Sequence, residues 1–149
     1  MKTGKIDHIS VAVRSLDGAR KAWEPILGKA EPDDVYSDEG EKIRVARYWL
    51  GGTAFELMES TTAGGPVAQW IERHGEGVMV LSLKVDNTRK AVEELQSLDY
   101  PFVPSPETGV IRPFRDSEFA FIHPKKVNNV LLELIDCAKD GPIAGGDGQ

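Results

Sequence analysis

One cysteine, Cys137, is all the thiol the sequence carries. That excludes an internal disulfide and fits a reducing, cytoplasmic setting. No apolar run is long enough to span a bilayer, and no signal-type apolar core precedes the first predicted strand, so no membrane partner is expected. Basic charge is the scarcer sign: 18 Lys and Arg stand against 24 Asp and Glu, a net charge of −6. Binding to nucleic acid through bulk charge is therefore not expected, although a local arginine cluster can still meet a small anionic ligand. Histidine is also scarce, with three residues in the chain. His74 and His123 fall in predicted turns and read as structural, which leaves His8 as the candidate functional imidazole.

What is present is an ordinary globular mixture, 40% hydrophobic and 28% charged, in 149 residues. That length gives one domain, or two small halves sharing a core. Period-two alternation predicts strands at 6–13, 43–50, 54–59, 78–85, 118–123 and 130–135, with a short edge strand at 101–103. Helices are predicted from Leu16 to about Trp23 after a Ser15 cap, from Pro66 onward, and after Asn87 or Thr88. In the last of these, Ala91, Val92, Leu95 and Leu98 recur at helical spacing. The polar stretch 29–41 holds at most one irregular strand, and 105–116 reads as a loop carrying Arg112 and Arg115. Residues 138–149 read as a flexible tail.

The order strand, helix, then two or three strands occurs twice. Ile9-Ser10-Val11 parallels Leu81-Ser82-Leu83, Arg20-Lys21-Ala22 parallels Arg89-Lys90-Ala91, and Phe55-Glu56-Leu57 parallels Leu132-Glu133-Leu134. The expected architecture is α+β: two βαβββ modules, about 5–60 and 77–137, forming one domain over 1–137 whose curved mixed sheet makes a cup.

Glu56 and Glu133 each interrupt an otherwise apolar strand. A buried carboxylate is costly unless it is paired or binds a cation. Under the twofold relation of the halves, Glu56 matches Glu133 and His8 matches Val80, and all four positions face one cavity. Two carboxylates and an imidazole suit a divalent ion. The plainer alternative is that the glutamates form salt bridges to Arg44, Arg47 or Lys84.

The segments IDHISVAV (6–13), FELMES (55–60), PVAQWIERHGEG (66–77), KVDN (84–87) and FIHPKKVNNVLLEL (121–134) together resemble the vicinal-oxygen-chelate superfamily, in particular its methylmalonyl-CoA epimerase branch. The resemblance implies a divalent ion of the cobalt, manganese, zinc or nickel class, held by His8, Glu56 and Glu133. The family's further histidine ligand is replaced by Val80. It also implies proton transfer at the carbon between a thioester and a carboxylate, with Glu133 as the catalytic group, a small-molecule substrate such as an acyl-CoA, and a homodimer. The family's glycine-rich loop before the last hairpin is here Gly109-Val110-Ile111-Arg112-Pro113-Phe114-Arg115-Asp116, bulkier and more basic, which points to an anionic ligand group or to a ligand different from the family's. Two readings stay open: a metal-assisted enzyme, or a metal-free binding protein or divergent enzyme using His8, Glu56 and Glu133 directly.

Overall fold

A computed structural model describes residues 1–136; Cys137 and the predicted tail lie outside the described residues. Strand β1 (Thr3–Ala12) leads to helix α1 (Leu16–Leu27), then β2 (Asp34–Asp38), β3 (Ile43–Leu50) and β4 (Thr53–Ser60). Helix α2 (Pro66–His74) precedes β5 (Gly77–Val85), α3 (Thr88–Ser97), β6 (Phe102–Val103), β7 (Arg112–Phe114), β8 (Ser117–Ile122) and β9 (Leu131–Ile135). No described helix is long and apolar enough to cross a membrane. By contacts the described residues divide into two compact units: residues 9–79, and residues 1–8 together with residues 80–136.

In the unit of residues 9–79, strands follow the order β2-β3-β4-β1. The β3–β4 hairpin is antiparallel, with Val45 opposite Met58 and Arg47 opposite Glu56. Its core gathers Val11, Val13, Leu16, Ala46, Tyr48 and Leu57, with Trp23 and Phe55 packed against it. Burying a side chain of the Leu57 class stabilises by roughly 1.5–3 kcal/mol. Helix α1 starts where expected: the Ser15 hydroxyl accepts the Gly18 N–H (3.0 Å). It runs past Trp23 and Pro25 to Leu27. Proline near the end forfeits only the bond its own nitrogen would donate, and Gly28, at φ +70°, closes the last turn as a left-handed cap. Glu24 on this helix accepts from Arg20 Nε (2.8 Å) and from the buried Tyr48 hydroxyl (2.7 Å). The Arg20 bond, followed by the Tyr48 bond, holds the Glu24 carboxyl below its usual range. Burial, with Glu24 beside it, pushes the Tyr48 phenol up.

In the other unit, the strand order is β1-β5-β9-β8-β6, with β7 paired to β8. The sheet is mixed: β5 and β9 run parallel with Ser82 beside Glu133, and β8 and β9 run antiparallel with Phe121 opposite Glu133. Val85, Ala91, Leu95, Ile122 and Leu134 form its core. The Asn87 side chain caps α3, accepting the Lys90 N–H at 2.9 Å. Leu98, expected on the apolar stripe, ends the helix instead and is exposed.

The internal repeat extends to the ends of the helices. In one unit Glu59, three residues after Glu56, accepts the Leu16 N–H at the start of α1 (2.6 Å). In the other Asp136, three residues after Glu133, accepts the Thr88 N–H at the start of α3 (3.0 Å). Each helix thus has a carboxylate at its positive end, a favourable place for negative charge.

One strand was expected only as an irregular one within 29–41, and another, in the predicted loop 105–116, not at all. Strand β2 lies at the edge of its order, alternating half-buried and exposed residues, so it carries no apolar face to detect. Strand β7 contains Pro113, exposed and paired only to β8. Proline normally argues against a strand and is tolerated at an edge.

Candidate functional site

The unit of residues 9–79 presents Glu56 from β4. Its carboxylate is 2% exposed, and its in-register neighbour on β3 is Arg47, itself buried. Arg47 Nε donates to Glu56 Oε2 at 2.6 Å, and Nη2 lies 2.5 Å from the same oxygen. The Tyr36 hydroxyl donates to Oε2 at 3.2 Å, and the Ser10 hydroxyl donates to Oε1 at 3.0 Å. The rings of Tyr36 and Trp49 each lie 5.5 Å from the guanidinium carbon. A guanidinium tolerates such burial better than an ammonium because it is weakly hydrated and stacks on aromatic faces. Both Glu56 oxygens are therefore engaged, and the charge is matched by a fixed cation. Arg44 reaches Asp17 instead (3.7 Å).

In the other unit, His8 Nδ1 sits 2.8 Å from Asp7 Oδ2, and His8 Nε2 sits 3.6 Å from Glu133 Oε1. Asp7, His8 and Glu133 are all buried. The first contact is a hydrogen bond; the second is an ion-pair approach too long to be one. A carboxylate facing each ring nitrogen lets the imidazole pass a proton toward either side. Ser82, beside Glu133, is wholly buried and its hydroxyl has no hydrogen-bond partner among the described residues. Two residues before it on β5, Val80 is also buried. Arg112 is buried with its guanidinium 4.9 Å from the Phe121 ring and Nη2 donating to the Val103 carbonyl (2.8 Å). Arg115 is exposed and stacks on Phe114 (5.1 Å).

Of the residues singled out from sequence, His8 and Glu133 are neighbours, while Glu56 has the salt bridge to Arg47 that was its plainer alternative. His74 packs on Trp70 (ring centroids 4.7 Å), and His123 accepts the Lys125 N–H (3.2 Å), so both are structural. Asp7, Tyr36 and Ser82 were not anticipated. Asp7 was visible as an acid next to His8, but strict alternation assigns it to the opposite face. Tyr36 lies on the strand with no apolar signal. A pocket of about 510 Å³ in the 9–79 unit, lined by Val13, Arg14, Thr62, Ala68 and Ile71 among others, includes none of the candidate residues.

The divalent ion implied by the resemblance does not fit this donor set. Glu56 already holds a guanidinium on one oxygen and a hydroxyl on the other, and a valine stands in place of a histidine ligand. Among the described residues no group of three or more His, Cys, Asp or Glu side chains is arranged to hold a metal.

A strand-helix-strands unit that occurs twice, with the short β7 added in the second copy, is the arrangement of the vicinal-oxygen-chelate fold. The chain belongs to the Glyoxalase/Bleomycin resistance protein/Dioxygenase superfamily, whose family model matches residues 7–121. It is 31% identical over 132 residues to the uncharacterized protein YqjC of Bacillus subtilis, covering 89% of this chain and 91% of that one. It is 28% identical over 134 residues to the mitochondrial methylmalonyl-CoA epimerase of Mus musculus, covering 89% and 73%. The crystal structure of methylmalonyl-CoA epimerase from Mycobacterium tuberculosis superposes with a TM-score of 0.81 at 25% identity, over 93% of this chain and 91% of that one.

Proposed function

We propose that this protein is a methylmalonyl-CoA epimerase-like enzyme, moving a proton at the acidic carbon of a small acid or an acyl-CoA thioester. The observation that carries the reading is the buried Asp7–His8–Glu133 arrangement, with Glu133 Oε1 3.6 Å from His8 Nε2. A carbon between a thioester and a carboxylate is acidic because its carbanion delocalises into the thioester as an enolate. Glu133 takes the proton: the C–H pair passes into the enolate, and the proton goes to the carboxylate. His8, held by Asp7, stands 3.6 Å from Glu133 and can accept the proton onward when the two close to hydrogen-bond distance, which keeps the site ready for another turnover. Return of a proton to the opposite face gives the epimer. Burial supports the step by excluding water from the carboxylate. The protein is expected to act as a cytoplasmic homodimer, which sedimentation would check.

The direct test is deuterium uptake at that carbon when methylmalonyl-CoA is incubated with the protein in D2O. Uptake faster than the uncatalysed rate is expected; none, with or without added divalent metal, removes the assignment. The second reading is a small-molecule binding protein of the same fold. It is favoured by Glu56, whose hydrogen-bonding capacity is spent within the protein. It predicts ligand binding without exchange.

A further inference from the structure

We propose that Arg47 takes the part of the divalent ion in this chain: it is the resident cation of Glu56, and it keeps metal out. The proposal deepens the reading above and rests on it only for its catalytic consequence, that proton transfer here is metal-independent. Three observations carry it. First, the guanidinium binds Glu56 Oε2 through two nitrogens, at 2.6 and 2.5 Å, and both side chains are more than nine-tenths buried. A divalent ion using that oxygen would share it with a permanent positive charge. Second, the pair is built in rather than incidental. Arg47 and Glu56 are register partners, two aromatic rings lie against the guanidinium, and Tyr36 and Ser10 bond the same carboxylate. Third, the equivalent position in the other hairpin is Phe121, opposite Glu133. A cation in register opposite the glutamate is specific to one half of the repeat; in the other half the buried Arg112 guanidinium lies against the Phe121 ring instead. Arg47 is thus a positioning residue that holds the Glu56 carboxylate through two of its nitrogens.

The test begins with wild-type protein purified without chelator. Metal analysis should find well under one divalent ion per chain, and cobalt or manganese should not raise the melting temperature. About one ion per chain, or a clear metal-dependent rise, overturns the proposal. Arg47→Met should then gain divalent uptake and a metal-dependent rise in melting temperature, and Arg47→Lys, which keeps the charge, should not. If folded Arg47→Met takes up no metal, Arg47 is not what excludes it. If Arg47→Met does not fold, the wild-type measurement and Arg47→Lys decide. These readouts need no substrate. A protein that excludes metal yet fails to exchange the substrate proton would sink the epimerase reading and leave this one standing.

Discussion

The β3–β4 hairpin and the β8–β9 hairpin begin from the same plan and end in different chemistry. Each carries a buried glutamate at the same place, a serine on the neighbouring strand, and an acid three residues later that meets a helix start. Around Glu56 every group is satisfied: Ser10, Tyr36 and Arg47 take up both oxygens. Around Glu133 the corresponding serine has no hydrogen-bond partner among the described residues, the facing residue is Phe121, and a near polar partner is His8 at 3.6 Å. A carboxylate neutralised by a fixed guanidinium is a structural element. One beside an imidazole is placed to exchange protons. On the proposed reading, the duplicated fold separates two tasks that a pair of identical sites would share.

The largest expected effect is at Glu133. Glu133→Gln keeps shape and removes the base, so exchange should fall about 10²- to 10⁴-fold with little change in melting temperature. An unchanged rate would move the chemistry elsewhere. At Glu56 the expected effect is on stability. Arg47→Met leaves a buried carboxylate without its cation, a loss of about 3–5 kcal/mol by denaturant titration. The double variant Arg47→Met/Glu56→Met should recover much of that loss, and a purely additive double variant would mean the two do not act as a pair.

The serines give a finer contrast. Ser10→Ala removes a bonded hydroxyl and should cost about 1 kcal/mol. Ser82→Ala removes a buried hydroxyl with no bond and should be neutral or stabilising. Equal losses would show that the halves are not asymmetric in this respect. The last contrast depends on pH and belongs to Glu24, which serves neither site. Its folded pKa is lowered by Arg20 and Tyr48, so its contribution is present above the ordinary glutamate value of about 4.3. That contribution is lost as pH falls through the lower folded value. Glu24→Gln should cost about 1 kcal/mol near neutrality, and the gap to wild type should close in acid.

The repeat was legible because alternation, helix caps and the two glutamate strands recur in one order. Ser15 and Asn87 announced their helices through elementary capping chemistry. The edge strand β6 was expected at 101–103, β2 was legible only as one irregular strand somewhere in 29–41 because it has no apolar face, and β7 was not legible because it contains Pro113. The site was half legible. His8, Glu56 and Glu133 stand out as polar groups in apolar strands, and Arg47 was named as one possible partner for a glutamate. Which cation Glu56 takes could not be read, because it depends on the register that sets Arg47 opposite it. Asp7 and Tyr36 join their sites through tertiary contacts that periodicity does not report.

The division between the two glutamates is tested most directly by following deuterium entry into methylmalonyl-CoA with metal-depleted wild type, Glu133→Gln and Glu56→Gln side by side. The expected result is uptake by wild type, a near-complete loss in Glu133→Gln, and a rate in Glu56→Gln that follows its folded fraction. Full activity in Glu133→Gln, or uptake by wild type only after divalent metal is restored, would contradict the account.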